Sequence, residues 1–234
     1  MLRHCICLVC GLKPEEIVGG SEVTQYSIPW QVQLAYDGPR RRQIHFCGGT
    51  LISSNHVLTA AHCLQKRLTG IDPDRFYVMV GEHNITTNSS DGTRHEICEH
   101  VQHPNYTHFE GVNEFNDFAI LHLREAVELG TRAFPACLPT PILGGDALAG
   151  ETMTVSGWGS LASEASGPDV LHSVDVVGIN NTECDVAYPG RIYSNMLCAG
   201  DVDNGGVDSC QGDSGGMQEK YMCTFYKLII RPNS

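Results

Sequence analysis

Gly212-Asp213-Ser214-Gly215-Gly216 sets a serine among glycines near the end of the sequence. Glycine lets the backbone approach a substrate carbonyl, so main-chain N–H groups beside the serine can stabilise an oxyanion. The same five residues fit G-x-S-x-G, the nucleophile turn of α/β-hydrolases. Chain order separates the two readings. That fold takes its histidine after the serine, and residues 215–234 contain none. A subtilisin-like order needs an aspartate before the histidine. The best-placed histidine is His62, and Asp37 is the only aspartate ahead of it. What remains is the order His, Asp, Ser.

Working back from Ser214, His62 follows the apolar run Val57-Leu-Thr-Ala-Ala61 and precedes Cys63. Asp117 opens the run Asp117-Phe-Ala-Ile-Leu121, which carries a carboxylate into apolar surroundings. A buried carboxylate needs a partner, and an imidazole N–H is a suitable one. Taken singly, each is more often structural than catalytic. Together with a glycine-flanked serine in this order, they read as a base and the acid that orients it.

The rest of the sequence is consistent with an all-β chain. Short alternating or β-branched runs recur at Trp30-Gln-Val-Gln-Leu34, Phe76-Tyr-Val-Met-Val80, Phe118-Ala-Ile-Leu-His-Leu123, Met153-Thr-Val-Ser156 and Val174-Asp-Val-Val177. Glycine, proline and asparagine punctuate them. The basic run Gly38-Pro-Arg-Arg-Arg42 reads as a solvated hairpin tip, and Pro139 to Gly150 as a linker between two β halves. With 15 Lys and Arg against 27 Asp and Glu, the net charge is −12, which argues against a general nucleic-acid binder. No apolar run reaches the ~18 residues of a membrane helix.

Eleven scattered cysteines, at 5, 7, 10, 47, 63, 98, 137, 184, 198, 210 and 223, suit an oxidising compartment better than a zinc knuckle. Four N-x-S/T triplets begin at Asn84, Asn88, Asn105 and Asn180, which agrees with secretion. Met1 to Cys10 has a basic start but only a short apolar run, and is expected to be the remnant of a truncated signal.

The motifs Ile17-Val-Gly-Gly20, Pro29-Trp-Gln-Val32, Phe46-Cys-Gly-Gly49, Leu58-Thr-Ala-Ala-His-Cys63, Asn116-Asp-Phe-Ala-Ile-Leu121, Gly157-Trp-Gly159 and Asp208-Ser-Cys-Gln-Gly-Asp-Ser-Gly-Gly216 stand in one order from end to end. In this series the chain resembles the trypsin/chymotrypsin-like serine endopeptidases. The resemblance implies two packed antiparallel six-stranded β-barrels with the active site in the cleft between them. Residues 1–16 would be a signal remnant and pro-segment and 17–234 the peptidase domain. The first barrel would span about 30–135 and the second about 150–234.

The same resemblance assigns roles. Ser214 would be the nucleophile, His62 the general base and then acid, and Asp117 the group orienting His62. The N–H groups of Gly212 and Ser214 would form the oxyanion hole. Asp208, six residues before Ser214, would sit at the base of the substrate pocket and select Arg or Lys through a charge-assisted bond. Ile17 resembles the N-terminus freed on zymogen activation, its ammonium pairing with Asp213. A buried pair left half-made costs about 3–5 kcal/mol, enough to hold the uncut form off. Glu16 stands before Ile17 where many relatives carry Arg or Lys. Disulfides Cys47–Cys63 and Cys184–Cys198 are implied, and Cys10 as a tether to Cys137. Cys98 has no counterpart. Implied partners are protein or peptide substrates with Arg or Lys and protein protease inhibitors, with no nucleic acid, membrane or cofactor.

Two stretches have metal-like residues, and neither spacing makes a metal site the expected reading. His95, Cys98, His100 and His103 have ligand-like spacing, but on a strand they would divide between faces. Glu82-His83-Asn84 with Asp91 and Glu96 resembles the calcium loop of some relatives at a different spacing. After Gly216 the sequence departs from the family. Relatives have Pro at the position of Met217, then a Ser-Trp-Gly strand, a pocket-closing cysteine and a terminal helix. Cys210 would lack its usual partner, with Cys223 a substitute, and residues 221–230 suffice for one strand. The second barrel is therefore expected to be incomplete, and a non-catalytic protease-like protein is the alternative to an active enzyme.

Overall fold

A computed structural model describes residues 21–39, 42–85, 91–108, 114–138, 145–159, 167–187, 189–190, 192–194, 196–200, 218–219 and 228–230. The strands of the first half are β1 (Ser21–Glu22), β2 (Gln31–Asp37), β3 (Gln43–Ser53), β4 (His56–Thr59), β5 (Phe76–Val80), β6 (Thr93–Gln102), β7 (Thr107–His108), β8 (Glu114–Phe115) and β9 (Ala119–Leu123). Those of the second are β10 (Thr152–Gly157), β11 (His172–Ile179), β12 (Leu197–Gly200), β13 (Gln218–Glu219) and β14 (Leu228–Ile230). Helix is confined to short pieces, α1 (Lys66–Thr69), α2 (Asn181–Ala187) and a few 3-10 turns.

Six strands close into a barrel in the order β2-β3-β4-β9-β6-β5, every pair antiparallel, with β5 returning to β2. Closure leaves no strand edge to solvate. Alternation decides what fills it. Ala119, Leu121 and Leu123 of β9 point inward, while Ile120 is exposed and His122 half-buried. Val32, Leu34, Leu51, Val57, Phe76, Val78 and Val80 complete the same core. β5 reads as unbroken apolar sequence because both its faces are covered, the outer one by Tyr77 and Met79 packing on Ala35. The β2–β3 hairpin closes through Gly38 N–H donating to Arg42 O at 2.8 Å, as a turn at the basic run requires. Arg40 and Arg41 lie outside the described residues.

The second half is a six-stranded sheet, ordered β13-β10-β11-β12-β14 with β1 also on β11, and open among the described residues. Its core is Leu148, Met153, Val155, Val176, Leu197 and Ala199. The stretch read as a linker is structured from Gly145 onward. Gly145–Leu148 forms a 3-10 turn and buries Leu148. Gly178 packs so closely on it that a Cβ there would lie 2.0 Å from Leu148 O. Residues 221–230, expected to suffice for one strand, contain β14, and β13 precedes that stretch. β13 pairs antiparallel with β10, and β14 pairs parallel with β12.

Barrel and sheet meet through fixed polar contacts. Ser156 Oγ donates to Gln31 Oε1 at 2.9 Å, and Trp158 Nε1 donates to His83 O at 3.0 Å. Ile28, Trp158 and Leu171 pack beside them.

Candidate active site

His62 sits in the 3-10 turn Ala61–Leu64 that follows β4. Its neighbours Ala61, Cys63 and Leu64 are buried, so the turn is anchored on either side of the imidazole. Thr59 Oγ1 donates to Gly48 O at 2.8 Å, and the Cys47–Cys63 disulfide ties the turn to β3. The His62 side chain keeps 24% of its surface exposed, enough to meet a substrate.

Asp117 lies two residues ahead of β9, so the strand begins later than the sequence suggested. Its side chain is only 7% exposed. The carboxylate accepts two hydrogen bonds from one residue: His62 N–H donates to Oδ1 at 2.8 Å and His62 Nδ1–H to Oδ2 at 2.7 Å. A buried carboxylate satisfied in this way fixes both the ring orientation and its tautomer, leaving the basic lone pair on Nε2. The pair can take a proton from a hydroxyl at Nε2 while the carboxylate stabilises the imidazolium that forms.

Asn116 carries no role in the sequence reading, yet it delivers Asp117. Its φ of +52° is left-handed, which asparagine tolerates better than most residues. Its side-chain Nδ2 donates to Asn105 O at 2.9 Å, and its carbonyl accepts from Phe118 N–H at 2.8 Å. An asparagine directly before the buried aspartate was the available signal.

Ser214, Gly212, Asp213, Asp208, Ile17, Cys210 and Cys223 lie outside the described residues. The implied disulfides Cys47–Cys63 and Cys184–Cys198 are both formed. Cys137 is also disulfide-bonded. Its partner lies outside the described residues, since the other described cysteines are paired or, in Cys98, free.

The metal-like spacings do not gather. A bulge between Ile97 and Glu99 makes Cys98 an extra residue in β6, and its Sγ–H donates to His122 O at 3.3 Å. His95 Nε2 instead meets Thr93 Oγ1 at 3.0 Å. Glu82, Asp91 and Glu96 each have a separate nitrogen donor, from Gln43, Gln25 and Arg94 respectively. Burial pushes the Glu82 carboxyl up to about 7, opposed by the Gln43 hydrogen bond and assisted by the charge of Asp91.

Comparison with known proteins agrees with this geometry. A family model described as Trypsin matches residues 17–217. Trypsin of Squalus acanthias is 39% identical over 202 residues, covering 86% of this chain and 79% of the relative. Serine protease 1 of Rattus norvegicus is 38% identical over 203 residues, covering 86% of this chain and 74% of its own. A venom serine protease of Polistes dominula is 38% identical over 215 residues, covering 88% and 71%. With an all-β fold, a closed six-stranded barrel and a histidine held by a buried aspartate, the chain belongs to the trypsin family and is a trypsin-like serine endopeptidase.

Proposed function

We propose that this chain is a secreted, N-glycosylated serine endopeptidase that cleaves after Arg or Lys and is made as a zymogen released at Ile17. Ser214 Oγ attacks the scissile carbonyl and His62 Nε2 takes its proton. Asp117 keeps the Nδ1–H side of the ring engaged throughout. The Gly212 and Ser214 N–H groups receive the oxyanion. His62 then protonates the leaving amine, and water releases the acyl group by the same steps in reverse. Protein substrates, and protein inhibitors that mimic them, are the partners. The domain limits proposed are 17–234, with the base and its acid in the first barrel and the nucleophile in the second.

The observation that carries this reading is the double hydrogen bond from His62 to Asp117, at 2.8 and 2.7 Å, in a trypsin-family chain. The pocket assignment is tested by profiling the protein freed at Ile17 on a peptide library. Cleavage after Arg and Lys is expected. Asp208→Ser should move kcat/KM away from basic residues by several kcal/mol, because the bound cation loses its counter-charge. Equal cleavage after Leu and Arg by the unmutated protein rejects Asp208 as the selector. No cleavage of any peptide favours the alternative, a protease-like protein without catalysis.

A further inference from the structure

We propose that Asn105 is an acceptor for an N-linked glycan, carried on the turn that braces the catalytic aspartate. The inference rests on the secretory reading above, and it separates the three sequons whose asparagines are described. Asn88 lies outside the described residues.

Asn84 is half-buried where barrel meets sheet. Its backbone bridges to Val170, and the next residue, Ile85, donates to Asp169 O at 2.8 Å and packs against the Ile28–Trp158–Leu171 cluster. Asn180 leads directly into α2. Its Oδ1 accepts from Thr182 N–H at 2.8 Å, and the middle residue Asn181 is pinned by Nδ2 donating to Tyr193 O and Met196 O at 3.1 and 2.9 Å. The same helix is tied down by Cys184–Cys198. The Asn84 backbone and the Asn180 side chain are therefore each engaged within the fold.

Asn105-Tyr106-Thr107 differs from both. Tyr106 packs against the barrel core, while Asn105 and Thr107 on either side are exposed, as Asn180 and Thr182 also are, so the contrast with Asn180 lies in that side chain's bond to Thr182 N–H. Asn105 stands in the turn closed by Tyr106 N–H donating to His103 O at 2.8 Å, and both it and Thr107, the first residue of β7, are open to solvent. The Asn105 side chain makes no hydrogen bond among the described residues. Its backbone is nevertheless fixed, with N–H donating to His103 Nδ1 at 3.2 Å and the carbonyl accepting from Asn116 Nδ2 at 2.9 Å. A glycan rooted here stands on the residue whose carbonyl holds Asn116, the residue that precedes Asp117.

The donor is a polyprenyl-pyrophosphate-linked oligosaccharide of the secretory membrane. Asn105 Nδ2 forms a bond to the anomeric carbon and loses one proton. The carbon–oxygen bond to the pyrophosphate breaks, and the lipid pyrophosphate leaves with the electron pair. No redox change occurs.

The test expresses the full chain behind an added cleavable secretion signal in eukaryotic cells, so that entry into the pathway is not limiting. Secreted, disulfide-bonded protein is treated with peptide N-glycosidase in heavy-oxygen water and mapped by mass spectrometry. The expected result is conversion of Asn105 to heavy-labelled Asp in most molecules, with Asn180 unconverted. Asn105→Gln and Thr107→Ala should each remove the glycan, and Thr107→Ser should retain it. An unmodified Asn105 in the secreted, Cys47–Cys63-bonded protein overturns the proposal, as does modification at Asn180 in its place. The chain without the added signal is assayed in parallel. Its failure to leave the cell counts against the secretory reading alone, because occupancy is read on the signal-bearing protein.

Discussion

In the first barrel every strand has two neighbours, since β5 closes on β2. In the second sheet β13 and β14 each pair on one side among the described residues, and β14 runs parallel to its neighbour β12. The two regions also differ in what they hold. His62 and Asp117 both come from the closed region, at the ends of the cross-strand neighbours β4 and β9, whose register sets Thr59 opposite Ala119. Acid and base are therefore preassembled within one barrel. Their geometry does not wait on how the other region is completed. The proposed nucleophile, Ser214, in contrast falls in the sequence between β12 and β13. On the proposed assignment activity depends on the second region, while the His62–Asp117 pair depends on the first.

The strongest way to break that division is Asp117→Asn. It keeps the shape of the side chain but offers the Nδ1 side of His62 an amide that can fix the wrong tautomer. In the protein freed at Ile17, kcat should fall by about 10⁴, a magnitude taken from a related serine protease. Unchanged turnover would show that the pair in the first barrel does not serve the reaction.

A smaller effect sharpens the comparison. The disulfides Cys47–Cys63 and Cys184–Cys198 close loops of similar length, with sequence separations of 16 and 14. Loss of either should cost about 3 kcal/mol in the chain-entropy model. Denaturant titration of Cys63→Ser and Cys198→Ser is expected to give similar losses of stability. Only Cys63→Ser should also lower kcat under native conditions, because Cys63 anchors the turn that carries His62. Equal losses of kcat would mean that the two regions are not separable.

Glu82 gives a pH-dependent test within the first region. Its carboxyl is raised from an ordinary 4.5 to about 7 by burial. Between those values the folded protein holds a proton that the unfolded chain has released. The contribution of this group is therefore fully present below about 4.5 and is lost as pH rises through about 7, a swing of roughly 3 kcal/mol. Glu82→Gln should remove that dependence. Denaturant midpoints for variant and parent should diverge in favour of the variant between pH 5 and pH 8. A constant difference across that range would contradict the assignment.

Much of the first barrel was legible because its strands obey simple patterns. Phe76–Val80 was read as a strand and is one, and Ala119–Leu123 alternates cleanly. His62 and Asp117 were legible because a histidine beside a cysteine and an aspartate opening an apolar run both need explanation. Other features resisted for physical reasons. The bulge at Cys98 changes the facing of β6, and no local pattern announces one extra residue. Asn116 adopts a left-handed backbone that asparagine permits without requiring it. Gly145–Leu148 reads as loop from its glycines, although Leu148 is 3% exposed in the second core. The pairing of Leu228–Ile230 with β12 rests on contacts distant in sequence, and strand propensity alone does not set direction.

The central claim is that the His62–Asp117 pair activates Ser214. A fluorophosphonate tests it directly, because Oγ must lose its proton to displace fluoride from phosphorus and remain covalently attached. The protein freed at Ile17 is treated, digested and mapped by mass spectrometry beside His62→Ala. The account predicts adduct on Ser214 and on no other serine, with the His62→Ala protein unlabelled over the same time. Absence of adduct at Ser214, or equal labelling in both proteins, would contradict it.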